Sequence, residues 1–149
     1  MEDQRISVDT RPVEMILSDD SRIEGEVFLK LQGARHSGPQ RVGDLLNGEE
    51  LFLPVRRDGK VCMVNLDQVV SVAVAADQEF DPLLELGKEH RICVVPAAGE
   101  PLDVRIFVNL PGGHVRVKDF LNQPKRFLQL LHSERVVYIA RKRILRVDD

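Results

Sequence analysis

The sequence is poor in the residues that build metal centres and redox sites. Its 149 residues include only two cysteines, Cys62 and Cys93, and four scattered histidines. No Cys-x-x-Cys or His-x-x-x-His spacing occurs, so we predict no metal site and no cofactor. Both cysteines lie in apolar, strand-like runs, where a buried free thiol is the usual state. A disulfide is the alternative.

Aromatic residues and catalytic motifs are also scarce, with no Trp, one Tyr and six Phe. Base stacking requires exposed aromatic rings, and Tyr138 is the only candidate because Phe120 and Phe127 fit a core pattern. Pro111-Gly112-Gly113 lacks the Lys-Ser/Thr of a phosphate loop. There is no serine elbow and no nucleophile–base pair. We therefore predict a protein without enzymatic activity.

Long apolar segments are missing as well. No run approaches the roughly 18 apolar residues of a membrane span. The first five residues, Met1-Glu2-Asp3-Gln4-Arg5, are polar and carry no signal-peptide core. The sequence predicts a cytoplasmic protein that does not enter the membrane.

Charge is unevenly distributed along the chain. The net charge is −3, yet the segment from His114 to Arg146 is strongly basic. Clustered basic residues predict a surface that can bind phosphate groups of nucleic acid. The alternative is a solvated hairpin tip that faces the acidic first half or the acidic linker. The candidate residues are Arg116, Lys118, Lys125, Arg126, Arg141, Lys142, Arg143 and Arg146.

The most informative pattern is a stretch that occurs twice. Arg41-Val42-Gly43-Asp44-Leu45-Leu46-Asn47 returns, 75 residues later, as Arg116-Val117-Lys118-Asp119-Phe120-Leu121-Asn122. The same offset relates Phe52 to Phe127, Val61 to Val136 and Val72 to Val147. A fixed offset indicates duplication of one unit. We predict a flexible tail at 1–12, a first repeat at 13–75, an acidic linker at 76–90 and a second repeat at 91–149.

Each repeat is predicted to fold as β-β-α-β-β-β. Val42, Leu45 and Leu46 have helical spacing, and Asp58-Gly59 between apolar runs predicts a hairpin turn. Gly25, inside a long second strand, predicts a bend, which a small barrel needs to curl on itself. The expected fold is mostly β with short helices, a tandem duplication of a five-stranded barrel. A short helix is also predicted at Pro82–Leu86.

The polar residues of the repeated stretch are the sharpest candidates for a site. They are Arg41, Asp44 and Asn47 in the first copy and Arg116, Asp119 and Asn122 in the second. They could bind two equivalent ligands. We favour a structural role, because Asp and Asn readily satisfy backbone groups at helix ends. Each Arg can also pair with the Asp of its own copy.

Two segments resemble conserved motifs of Sm and Sm-like proteins. Leu17-x-Asp19-x-x-Arg22-Ile23-x-Gly25-x-Val27 is similar to the start of the first motif, and the segment 136–147 is similar to the strand-turn-strand of the second. The resemblance implies an Sm-like or SH3-like barrel and RNA binding by rings. The sequence departs from that pattern, because Asp44 and Asn47 fall in a helix and the Arg-Gly pair of the second motif is absent. The tandem pattern also resembles uncharacterised bacterial proteins.

A second resemblance is to cyclic-dinucleotide-binding barrels of the PilZ type. The segment from Asp19 to Gly25 is similar to their Asp/Asn-x-Ser-x-x-Gly motif, with the glycine one residue later. Their upstream arginine pair is missing, and Arg5 and Arg11 are the only arginines available there.

The sequence therefore predicts a non-enzymatic protein-interaction or assembly module. It would use an exposed strand edge or a barrel face to bind a protein partner or its own kind. Nucleic-acid binding through the basic second repeat is the alternative, and a cyclic-dinucleotide regulator is a third.

Overall fold

A computed structural model of the chain describes residues 8–30, 40–79, 87–108 and 117–149. The protein is mostly β with two short helices, as the sequence predicts. The strands are β1 (Val8–Leu17), β2 (Arg22–Lys30), β3 (Phe52–Arg57), β4 (Lys60–Asn65), β5 (Val69–Ala75), β6 (Lys88–Pro96), β7 (Leu102–Val108), β8 (Phe127–His132), β9 (Arg135–Ala140) and β10 (Ile144–Asp148). The helices are α1 (Val42–Leu46) and α2 (Val117–Leu121).

The ten strands form one antiparallel sheet in the order β10-β6-β7-β8-β9-β5-β1-β2-β3-β4. The first five strands are contiguous in this sheet, and so are the last five. Pairing of β5 with β9 joins the two halves. The sheet is open, with β4 at one end and β10 at the other, so the closure of each half into a barrel stays a prediction.

Strand pairing follows the same register in both halves. The β3–β4 pairing begins at Phe52 opposite Asn65, and the β8–β9 pairing begins 75 residues later at Phe127 opposite Ala140. The β1–β5 and β6–β10 pairings even share an irregularity at equivalent positions. Equal registers follow from equal apolar alternation, because a slip of one residue would turn every buried side chain outward.

Gly59 forms the predicted hairpin turn with Asp58, whereas Gly25 lies at a close approach of two strands and the bend predicted there stays a prediction. Asp58 and Gly59 have φ angles of 52° and 74°, which a tight two-residue hairpin turn requires. Gly25 lies where β2 approaches β3 closely. A Cβ atom on Gly25 would lie 2.6 Å from the carbonyl oxygen of Arg56, so this crossing of two backbones admits only glycine.

The predicted boundaries need two corrections. β1 begins at Val8, so residues 8–12 belong to a strand and not to the predicted tail at 1–12. β6 begins at Lys88, inside the predicted linker at 76–90. In β1, polar side chains such as Arg11 occupy inward positions and mask the period-2 pattern. The predicted helix at Pro82–Leu86 lies outside the described residues.

The apolar core consists of two clusters that are shared unequally between the halves. The first contains side chains of the first half and is completed by five from the second: Phe127, Leu131, Val136, Tyr138 and Ala140. The second cluster contains only side chains of the second half. β9 serves both clusters, since its alternate residues face opposite sides of the sheet. The second half thus covers the first, and in the described chain nothing covers the second half in the same way.

Two further observations concern the cysteines and the membrane. Cys62 and Cys93 are both free thiols, as predicted, but both are half-buried and not fully buried. Across the described ranges, neither helix has the length and apolar character needed to cross a membrane.

This unequal packing predicts unequal costs for one substitution made at equivalent positions. Leu46 of α1 is fully buried, whereas Leu121 of α2 is half-buried. Leu46→Ala should lower the free energy of unfolding by about 2–5 kcal/mol, since a buried leucine leaves a cavity. Leu121→Ala should cost clearly less. Urea denaturation followed by circular dichroism measures both, and equal losses would contradict this unequal packing.

Candidate interaction site at the junction and the sheet edges

A buried carboxylate links the two halves. Glu79 is fully buried, and its carboxylate accepts hydrogen bonds from the Tyr138 hydroxyl at 2.7 Å and the Val42 backbone N–H at 2.9 Å. Arg11 is 7% exposed, and its guanidinium forms an ion pair with the same carboxylate. These contacts join β1, α1 and β9 at one point. A buried ion pair of this kind is costly to break, because removing one partner leaves an uncompensated charge.

Tyr138 is a structural donor at this junction and not a stacking platform. Its side chain is 3% exposed, so the prediction that it could stack on a base is wrong. Burial, together with the neighbouring Glu79 carboxylate, raises the pKa of the Tyr138 hydroxyl far above its ordinary value. The hydroxyl therefore stays protonated. The ring packs on Gly43, where a Cβ atom would lie 2.7 Å from the ring carbon Cε1.

Arg11 and Glu79 were not predicted as site residues from the sequence. They fall in the predicted tail and linker, where each is one polar residue among several. One sign of the close contact was visible, since the first copy has Gly43 where the second has Lys118. A glycine in a short helix indicates that something approaches its backbone closely.

Five of the eight predicted basic residues line one groove at the junction. They are Lys125, Arg126, Arg141, Lys142 and Arg143, and the opposite wall is the turn Leu66–Gln68 of the first half. Lys118 lies on α2 and Arg146 pairs with Asp148 at 3.3 Å. Arg116 lies outside the described residues.

The three arginines of the groove donate hydrogen bonds to backbone carbonyl groups. Arg126 donates to the Glu50 carbonyl at 2.9 Å, and Arg143 donates to the Asp67 carbonyl at 2.6 Å. Both bonds cross between the halves. Arg141 donates from Nε to the Lys125 carbonyl at 3.1 Å. Arg126 and Arg143 therefore stabilise the junction, Arg141 stabilises a contact within the second half, and the two lysines are the exposed cations of the groove.

The repeated polar residues that the structure describes lie in the two helices or directly beside them. The Asp44 carboxylate accepts from the Arg41 backbone N–H at 2.9 Å. The Asn47 side-chain oxygen accepts from the Phe127 backbone N–H at 2.8 Å, across the junction. Asn122 donates to the Lys118 carbonyl at 2.8 Å, and Asp119 lies on α2. These three bonds all join a side chain to a backbone group, which is the kind of contact that a structural role requires.

The ends of the sheet carry the large apolar side chains that are exposed. Among the described residues these are Leu51 (41% exposed), Phe52 (50%), Val61 (54%), Met63 (64%) and Leu145 (69%). Phe52, Val61 and Met63 share one face of β3 and β4. Leu145 lies in β10. Exposed apolar side chains on an edge strand mark a surface that another chain can cover.

For four of these five residues the equivalent position in the other copy is buried; the exception is Leu51, whose equivalent is the half-buried Arg126. Each exposed residue and its buried counterpart, with exposed fractions, are Phe52 and Phe127 (50% and 1%), Val61 and Val136 (54% and 0%), Met63 and Tyr138 (64% and 3%), and Leu145 and Val70 (69% and 0%). Four of the five exposed apolar residues thus have buried equivalents, and three of these equivalents, Phe127, Val136 and Tyr138, pack in the core cluster where the halves meet.

Other kinds of site find less support in the geometry. Within the described ranges, no group of three or more His, Cys, Asp or Glu side chains is arranged to hold a metal ion. Arg11, which the PilZ-like pattern would offer to a phosphate, is committed to Glu79. Comparisons with known protein families, curated proteins and solved structures found no match.

The buried ion pair predicts a large effect of a small change. Glu79→Gln should lower the free energy of unfolding by about 3–5 kcal/mol, because Arg11 keeps a buried charge without a counter-charge. Asp77→Asn, an exposed neighbour, is the control and should have no effect. Adding Arg11→Met to Glu79→Gln should restore part of the stability, which urea denaturation measures. An unaffected Glu79→Gln variant would contradict the role given to this pair.

Proposed function

We propose that the protein is a non-enzymatic interaction module made of two copies of a small Sm-like or SH3-like barrel. Two backbone hydrogen bonds that recur in both halves support the duplication. Leu66 N–H donates to the Leu51 carbonyl at 2.7 Å, and Arg141 N–H donates to the Arg126 carbonyl at 2.9 Å. Likewise, the Ser18-to-Gln68 and Ala97-to-Arg143 bonds are both 2.8 Å long.

The observation that carries the proposal is the exposed apolar face at the β4 edge. Val61 and Met63 are more than half exposed, and β4 has a hydrogen-bonded neighbour on only one side in the described sheet. Proteins usually protect such an edge with charges or bulges. An apolar edge fits a partner strand, which supplies backbone hydrogen bonds and covers the side chains.

The burial of the Glu79 carboxylate supports a role without catalysis. A general acid or base must reach a substrate proton, whereas the Glu79 carboxylate is fully buried and occupied by Arg11, Val42 and Tyr138. Its charge serves the junction between the halves.

A charge placed on the β4 edge tests this function. Met63→Lys should abolish capture of partner protein from a nuclease-treated lysate, because the lysine would have to be desolvated against the partner. Glu134→Gln is the control, since it makes the same change in net charge at an exposed turn. Binding through an apolar edge should persist at high salt. Equal capture by both variants would show that the β4 edge is not the binding site.

Nucleic-acid binding is a second candidate function, favoured by the groove that gathers Lys125, Arg126, Arg141, Lys142 and Arg143. Cations in a groove attract phosphates, and the affinity then falls with salt as counterions are released.

The two exposed lysines allow this candidate to be tested without disturbing the junction. Lys125→Glu combined with Lys142→Glu should weaken binding of a single-stranded RNA. The slope of log affinity against log salt should also fall by about 0.7 for each phosphate that the variant no longer neutralises. Fluorescence anisotropy over a salt series measures both. Unchanged RNA binding by the folded variant would exclude the groove, and an RNA that never binds would exclude the function.

A further inference from the structure

We infer that the partner of the open edges is a second copy of this chain. β4 of one copy would add to β10 of the next, head to tail, and repeat the β5–β9 pairing that joins the halves. This inference rests on the proposed function of the edges as interaction sites. Its first support is continuity, because the sheet already contains one junction of this type, and each sheet end presents one of the two strand types that form it.

The register of the existing junction gives the register of the new one. Val72 of β5 lies opposite Tyr138 of β9. Adding the 75-residue offset to Val72 gives Val147, and subtracting it from Tyr138 gives Met63. The proposed contact therefore places Val147 of one copy opposite Met63 of the next. The pair is apolar on both sides, as the internal pair largely is. Antiparallel apolar neighbours of this kind stabilise a strand pairing.

The helices show which surface is left uncovered. In α1, Val42 and Leu46 are fully buried, and the helix packs against β8 of the other half. In α2, the equivalent Val117 and Leu121 are only half-buried. The β3–β4 face of a second copy, which exposes Phe52, Val61 and Met63, corresponds to the β8–β9 face that covers α1. It would cover α2 in the same way.

Side-chain sizes at the two junctions are complementary. At the internal junction the ring of Tyr138 lies on Gly43, with no room for a Cβ atom. At the proposed junction Lys118 takes the place of Gly43 and Met63 takes the place of Tyr138. A flexible methionine leaves room for the lysine, and the alkyl stem of lysine can pack on apolar surface while its ammonium reaches water.

Charge supports the same arrangement. In the internal junction, Pro124–Arg126 and Arg141–Arg143 line the groove with Leu66–Gln68. At the proposed junction the basic turn Arg141–Arg143 would take the place of Leu66–Gln68. It would then face Glu49, Glu50 and Asp67 of the next copy, which are exposed. Opposite charges across an interface steer association and fix its register.

The contact joins two different surfaces, so it is heterologous. Such contacts produce closed rings if the rotation between copies closes and filaments if it does not. A symmetric β4–β4 contact is the alternative, and it would leave the β10 edge of both copies open.

Complementation between two variants tests this geometry. Met63→Lys disables the β4 edge and Leu145→Glu disables the β10 edge. Size-exclusion chromatography with light scattering should give assemblies for the native chain and the 16.9 kDa monomer for each variant alone. An equimolar mixture should give a species of twice that mass and no larger one, because it contains one intact edge of each type. Circular dichroism checks folding, and Val61→Lys replaces Met63→Lys if that variant does not fold.

The outcomes separate this inference from the proposed function. A native chain that stays monomeric at every protein concentration measured would overturn self-assembly. If it still captured a protein through Met63, the edge function would stand. A dimeric Leu145→Glu variant would indicate symmetric β4–β4 pairing and overturn the head-to-tail arrangement. A mixture that stays monomeric although the native chain assembles would place the contact elsewhere.

Discussion

The arrangement of the two halves depends on the carboxylate of Glu79. It is fully buried, and it holds Arg11 of β1, the first backbone N–H of α1 and the hydroxyl of Tyr138 in β9. A buried charge tolerates little displacement of its partners, because each broken hydrogen bond leaves an unsatisfied polar group. One acidic side chain therefore fixes how the second half docks on the first. Apolar contacts alone, which are not directional, would specify that orientation less sharply.

The two halves differ where this contact is made. Gly43 and Tyr138 are in close contact at the internal junction. The equivalent of Gly43 in α2 is the larger Lys118, and the equivalent of Tyr138 in β4 is the smaller Met63. A glycine in a helix costs about 1 kcal/mol relative to alanine. It is retained here because the tyrosine ring occupies the space of a side chain. The internal junction thus has a close fit and a buried ion pair, while the free edges carry flexible, exposed side chains that suit a reversible contact.

Much of the fold could be predicted from local patterns. The 75-residue offset anticipated the equal strand registers, the helical spacing of Val42, Leu45 and Leu46 indicated α1, and Asp58-Gly59 indicated a hairpin. These features depend on neighbouring residues or on repetition. The buried pair of Arg11 and Glu79 could not be predicted, because 68 residues separate its members and each has the polarity of a surface residue. The burial of Tyr138 escaped prediction for a related reason, since its side chain packs against Gly43 and Glu79, which are distant from it in the sequence.

Unequal burial of equal positions is the physical consequence of joining two similar units in a row. The internal contact uses a fourth strand from one unit and a fifth strand from the other, β9 and β5. One strand of each type must then remain at the ends, with the apolar side chains that suit the contact still in place. Val61 and Met63 would be an aggregation liability on an edge that stayed open. Their retention beside acidic residues at one end of the sheet, with a basic turn at the other, is best explained if the edges meet.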